Sequence, residues 1–213
     1  MRFLILANGT YGDLDWYRER LSYDRIICVD GGGEWAVKLG LVPDWIVGDM
    51  DSIDSDALTG LQEAGAKTFL FEVDKDETDT QLAILLAAQK GAASITVWGG
   101  TGTRLDHTIS NLFSAATLVN RGISVRFESP GEDIDIIQDT FMVKGNAGET
   151  VSLLVIGEKA TGVTLQGFKY PLINAELKAD WQWAVSNVIA EPNPIIRLAA
   201  GVLAVIHYRS LPE

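Results

Sequence analysis

The feature that most limits the fold of this chain is an alternation of short apolar runs with helix-like segments through its first 129 residues. RFLILA (2–7), RIICVD (25–30), WIVGD (45–49), TFLFEV (68–73), SITVWG (94–99) and SVRFES (124–129) are rich in β-branched or aromatic residues and read as buried strands. Helical segments are expected between them, at 13–21, 33–40, 54–64, 78–90 and 106–120. Thr78 can cap a helix carrying Leu82, Leu85 and Leu86. Asp106 can cap one carrying Ile109, Leu112, Phe113 and Ala116 that ends near Gly122. Alternation at this spacing predicts an α/β unit with a mostly parallel sheet and helices on both faces.

The pattern changes near SPGED (129–133). DIDII, TFMVK, ETVSLLVI, GVTLQG, NVIAE, IIRLA and VLAVIHY follow, with turn signals at KGNAGE, EPNP and AAG and little helical periodicity. The reading is therefore two domains, an α/β domain over 1–129 and an all-β sandwich over 130–213.

Composition narrows the function. A net charge of -12 in 213 residues opposes binding to nucleic acid or anionic membranes. No apolar run approaches the roughly 18 residues of a membrane span, and MRFLILANG reads as a strand rather than a signal peptide. The single cysteine, Cys28, lies in RIICV and is expected to be buried, which suits a cytoplasmic protein. An acidic chain that binds polyphosphate needs a local arginine or a cation to reverse the charge at the site.

Three loops carry the candidate chemistry. GDMDS (48–52) follows a strand, and in extended chain Asp49 and Asp51 project to one side. Paired carboxylates there suit a hard cation such as Mg2+ sharing its shell with phosphates. Alternatively, Asp51 or Ser52 caps the next helix, with Asp54 and Asp56 supplying favourable charge to its first turn. DKDETDTQ (74–81) holds Asp74, Asp76, Glu77 and Asp79, more acid than a cap requires. GGTGTRLDHT (99–108) offers backbone N–H groups at Gly100, Thr101 and Gly102, and Arg104 as a bidentate phosphate clamp. Asp106 would cap the helix, orient Arg104 or touch the ligand; the bland alternative is a glycine turn with a surface ion pair.

In a parallel sheet these loops emerge at the same strand ends, so Asp30, Asp49, Asp51 and Asp79 can converge. GLQEAGAKT (60–68) is a near miss to a phosphate loop and runs from helix to strand, so it is rejected. GGGEWA (31–36) matches a weak dinucleotide pattern, but Asp30 before it would oppose a bare pyrophosphate; a tight turn and a nucleotide or metal-site turn both remain open. His107 reads as a solvated first-turn residue and His207 as a structural strand residue. Trp181 and Trp183 alternate with Gln182, so they share a face in extended chain, as core, as a dimer contact or as an aromatic wall for a flat ring. Ser186 and Asn187 could then hydrogen-bond ring nitrogens.

Taken together, DGG (30–32), PDWIVGDMDSI (43–53), DKDETDTQLAI (74–84), GGTGTRLDHTISNL (99–112), GFKYPL (167–172) and SN (186–187) resemble the thiamin pyrophosphokinase family over nearly the whole chain. The resemblance implies transfer of the terminal diphosphate of ATP to the thiamin hydroxyl, with AMP released, by a homodimer whose sites are shared between subunits. It implies Mg2+ on Asp49, Asp51 and Asp79, and ATP near Asp30, Gly31, Thr78, Gly100, Thr101, Gly102 and Arg104. Asp106 would lie beside the phosphate and also contact thiamin; Ser186, Asn187 and a tryptophan, Trp181 or Trp183, would hold thiamin. The chain departs from the family at its tryptophan-rich segment before SN and at Val188. The alternatives are a non-catalytic nucleotide- or thiamin-binding sensor and, from GGGEWA, a nicotinamide-dependent oxidoreductase.

Overall fold

The computed structural model describes residues 1–70, 76–102 and 104–209, and the chain divides into two units. Unit 1 comprises Met1–Leu118 and Gly122–Pro130; unit 2 comprises Val119–Arg121 and Gly131–Glu213.

Unit 1 is wound around six parallel strands: β1 (Arg2–Leu6), β2 (Arg25–Val29), β3 (Trp45–Gly48), β4 (Lys67–Leu70), β5 (Ser94–Trp98) and β6 (Ser124–Glu128). They lie in the order β6-β5-β1-β2-β3-β4. The helices between them are α1 (Leu14–Arg18), α2 (Gly32–Leu39), α3 (Ser55–Glu63), α4 (Asp79–Gln89) and α5 (Leu105–Val119). Alternate strand residues serve opposite faces. Leu4, Leu6, Cys28 and Ile46 pack with Tyr17 of α1, Ala36 and Leu39 of α2 and Leu61 of α3. Phe3, Ile5, Ile27 and Val47 are equally buried outside that cluster, and α4 packs on β1, β2 and β3. The chain steps outward from β1 to β4, then returns to β5 on the other side of β1. The gap between β1 and β5 is thus a topological switch point, the place where open α/β sheets bind ligands.

Unit 2 contains β7 (Glu132–Ile137), β8 (Phe141–Met142), β9 (Thr150–Val155), β10 (Lys159–Gln166), β11 (Leu172–Lys178), β12 (Asn187–Val188), β13 (Ile195–Arg197) and β14 (Leu203–Tyr208). They form two antiparallel sheets, β12-β9-β14-β7 and β11-β10-β13-β8. Val151, Leu153, Leu203 and Val205 of the first share one core with Val163, Leu165, Leu177 and Ile196 of the second. That makes it a sandwich.

Several expectations need correction. The described part of the strand expected at TFLFEV is not buried: among the described residues β4 is the sheet edge, and Leu70 is 71% exposed. Phe71, Glu72, Val73 and the candidate acid Asp74 lie outside the described residues. β11 reads poorly as a strand in sequence because it too is an edge with mostly solvated side chains. Asp54, rather than Asp51 or Ser52, caps α3 by accepting from the N–H groups of Asp56 and Ala57. Asp106 does not cap α5, because the helix already starts at Leu105 and puts Asp106 in its first turn. Thr78 caps α4 as expected, accepting from Gln81 N–H at 3.2 Å. No helix among the described residues is long and apolar enough to cross a membrane.

Candidate active site

A cavity of about 420 Å³ opens at the carboxyl ends of the unit 1 strands, lined by the loops that follow β1, β2, β3 and β5 and by the start of α4. It gathers Asp30, Asp49, Asp51, Thr78, Asp79, Gly100, Thr101 and Arg104.

The acidic wall is built by backbone turns that the strand pattern does not contain. β3 ends at Gly48, so Asp49 and Asp51 are not two positions of one extended strand. The chain turns through Met50, at φ 65, and Asp49 Oδ1 accepts from Asp51 N–H at 3.1 Å. Both carboxylates nevertheless reach the cavity. Asp30 is also left-handed, at φ 43, and its Oδ1 accepts weakly from Met50 N–H at 3.4 Å. Gly48, at φ 142, passes so close to Asp30 that a Cβ there would collide with Oδ1. Two non-glycine residues in a sparsely populated backbone region mark strain held in place by the surrounding packing.

Burial raises the Asp30 carboxyl, and the neighbouring Asp79, whose side chain hydrogen-bonds to it, raises it further, with Asp49 adding repulsion; together they push it up to about 7. This wall therefore holds more negative charge than its own surroundings neutralise. Among the described residues no three acidic, histidine or cysteine side chains form a complete metal-ligand set. The donors are all carboxylate oxygens, the type a hard cation takes one or two at a time while phosphates complete its shell.

The glycine loop and α5 also line the cavity. Arg104 Nε donates to Asp106 Oδ1 at 3.1 Å and one Nη donates to Oδ2. That hydrogen bond from Arg104 holds the exposed Asp106 down to about 2 against an opposing effect of burial. Asp106 does not line the cavity; it fixes one edge of the guanidinium and leaves the other Nη uncommitted among the described residues. Gly31 and Gly102 also stand back from the cavity: the Asn8 side chain covers Gly31, and Gly102 sits against Thr10.

Asn8, Gly9, Ser52, Thr80, His107, Thr108 and Asn111 line the cavity too, and the motifs alone did not single them out as ligand-binding. Two signals were available. Asn8 and Gly9 follow β1, at the strand end where the other loops were sought. Arg104, His107, Thr108 and Asn111 are spaced i, i+3, i+4, i+7, which is one helix face.

The remaining candidates lie in unit 2. Trp181 and Trp183 are 74% and 46% exposed, so the core reading fails for both. Gln182 between them turns inward and bonds both the N–H and the carbonyl of Val155. Ser186 sits at φ 57 with its N–H on Ser152 Oγ at 2.9 Å. Asn187 is 7% exposed. Its Nδ2 donates to the Tyr170 carbonyl at 2.7 Å, and its Oδ1 accepts from the N–H groups of Tyr170 and Val188 at 3.0 and 2.8 Å. The amide thus holds the GFKYPL loop. Cys28 and His207 are buried, and His207 Nε2 lies 2.7 Å from Glu149 Oε2.

Comparison with known proteins agrees with this division. A family model for the catalytic domain of thiamin pyrophosphokinase matches residues 17–127, and one for its vitamin B1 binding domain matches 139–203. The thiamine pyrophosphokinase of Bacillus subtilis strain 168 is 28% identical over 182 residues, spanning 84% of this chain and 85% of that protein. Thiamine pyrophosphokinase 1 of Arabidopsis thaliana is 24% identical over 200 residues, spanning 78% of this chain and 71% of the plant protein. Among solved structures, the Bacillus subtilis thiamine pyrophosphokinase superposes with a TM-score of 0.85 at 25% identity, over 99% of this chain and all of that one. The Geobacillus thermodenitrificans thiamin pyrophosphokinase gives 0.83 at 27% identity, over 99% of this chain and 98% of that one. With a catalytic-domain model covering more than half its length, a second model over unit 2 and the same fold from end to end, this chain belongs to the thiamin pyrophosphokinase family, whose enzymes transfer diphosphate from ATP to thiamin.

Proposed function

We propose that the unit 1 cavity is where the chain binds ATP as a Mg2+ complex and passes its diphosphate to thiamin. The observation that carries this reading is one cavity lined by groups of opposite character: Asp30, Asp49, Asp51 and Asp79 together with Arg104 and the Gly100–Thr101 loop. Unit 1 would be the nucleotide-binding catalytic domain and unit 2 the thiamin-binding domain.

Asp49, Asp51 and Asp79, with Asp30 beside Asp79, would supply the carboxylates for Mg2+, one or two to an ion. When bound, the ion would supply positive charge to offset that of the phosphates beside these carboxylates. Arg104, braced by Asp106, presents its uncommitted edge to phosphate oxygens. Thr78 keeps the α4 terminus in register by capping it. The thiamin hydroxyl oxygen bonds to the β-phosphorus while the bond from that phosphorus to the α–β bridging oxygen breaks; AMP leaves with the electron pair, and the hydroxyl proton is released to solvent. Positioning and charge neutralisation carry most of such a transfer, so no side chain is assigned as a strong base.

Trp181 and Trp183 offer exposed aromatic faces for the thiamin rings, and Ser186 lies in the same segment. Tyr170, Ile173, Trp181 and Val185 leave apolar surface exposed on unit 2, which supports a homodimer. A reducing cytoplasm suits the unpaired Cys28.

Product analysis tests the reading. Protein supplied with ATP, thiamin and Mg2+ should form AMP and thiamin diphosphate in equal amounts. ADP with thiamin monophosphate, or binding without turnover, would reject it.

A further inference from the structure

We propose that Asn111 is a positioning residue, which turns one peptide of the glycine loop so that its N–H faces the polyphosphate. Asn111 lies within α5 and is 4% exposed. Asparagine is disfavoured in a helix interior, and a buried amide must find partners. Its Nδ2 finds one in the Gly100 carbonyl at 2.8 Å, eleven residues back along the chain. The bond closes the segment that carries Arg104 onto the helix that follows it.

Gly100 is held from beneath as well. A Cβ on it would come within 2.7 Å of Val97 Cγ1 and 2.8 Å of Phe127 Cδ1, so the loop rests on the core without a side chain between them. Fixing the carbonyl of Gly100 also fixes the next N–H. In a planar trans peptide the two point in opposite directions. The Thr101 N–H is therefore aimed away from Asn111. Thr101 borders the cavity, and among the described residues its N–H donates to no acceptor. A fixed, unspent backbone donor beside an anion site is what phosphate oxygens recognise. An aspartate at 111 would keep the shape but set a carboxylate against the Gly100 carbonyl. Alanine would leave that peptide free to rotate.

The inference rests on the cavity being the nucleotide site, and the test separates the two claims. Calorimetry with α,β-methylene-ATP and Mg2+ on the unaltered protein comes first; no binding would reject both the site and the inference. Given binding, Asn111→Ala should weaken the analogue and raise the KM for ATP by about tenfold, the loss of one oriented hydrogen bond. The KM for thiamin should stay near wild type, and Asn111→Gln should restore part of the ATP affinity. Wild-type ATP affinity in Asn111→Ala, or an equal loss toward ATP and thiamin, would overturn the positioning role and leave the site assignment standing. Should the variants fold poorly, the unaltered protein still answers by NMR. The Thr101 amide resonance should shift on adding the analogue and not on adding thiamin; an unmoved resonance overturns the inference.

Discussion

Replacing Asn187 with alanine should cost the protein stability, and the geometry sets the amount. The side chain makes three hydrogen bonds to backbone groups, two to Tyr170 and one to Val188. A hydrogen bond of this kind contributes about 1 kcal/mol net, and a buried group left without a partner costs more. Tyr170 is 56% exposed, so water can replace part of what its backbone loses. The Val188 N–H is half-buried and recovers less. The expected loss is therefore about 2 kcal/mol, with about 3 as the upper end if no water enters. Urea denaturation followed by circular dichroism would read it as a lower midpoint with an unchanged slope. Asn187→Asp keeps the acceptor for both N–H groups but turns a carboxylate oxygen toward the Tyr170 carbonyl, so it should lose a similar amount. If Asn187 instead reads the thiamin ring, Asn187→Ala would keep its midpoint and raise only the KM for thiamin. A stability change within about 0.5 kcal/mol, ordinary for an unimportant surface substitution, would refute the reasoning.

Two further outcomes follow from the site and from the sandwich. Gly48→Ala places a Cβ against Asp30 Oδ1 at a φ of 142; it should destabilise by about 3 kcal/mol and lower turnover about a hundredfold, checked by denaturation and steady-state rates. Burial alone would raise the Glu149 carboxyl, but hydrogen bonds from Asn146 and from His207 hold it below its ordinary value. A depressed carboxylate stabilises the fold above its unfolded value, and that contribution disappears as pH falls through the folded value. Wild type should therefore exceed Glu149→Gln in melting temperature near neutrality, with the gap closing in acid; a gap independent of pH would exclude the linkage.

Much of this molecule is legible in its sequence because burial dictates composition. The central strands of unit 1 are apolar on both faces, and runs such as RFLIL and RIICV announce them. The acidic and glycine loops are legible for a different reason: parallel topology places every strand's carboxyl end on one side, so loops far apart in sequence must meet. What the sequence hides is local and conformational. Edge strands β4 and β11 carry exposed residues and lose the apolar signature. Nothing in GDMDS declares that Met50 turns left-handed, so Asp49 and Asp51 reach one cavity through a turn and not through strand alternation. Asp106 looked like a cap because acids favour helix starts; the helix begins one residue earlier, and the carboxylate braces Arg104. Asn8 and Asn111 carry no charge, and the motifs give neither a role of its own, yet one covers Gly31 and the other ties down Gly100. Asn187 has the hydrogen-bonding capacity to read a ring, and two of its bonds go to a neighbouring loop, which no sequence pattern announces.

The central claim is that carboxylates from separate loops of unit 1 bind a divalent ion together with the ATP polyphosphate. Titrating the protein with Mn2+ in the presence of α,β-methylene-ATP, and following the relaxation of water protons, measures that ternary complex directly. Wild type should show strong enhancement, and Asp79→Asn should lose it while still folded by circular dichroism. Undiminished enhancement in folded Asp79→Asn would contradict the claim.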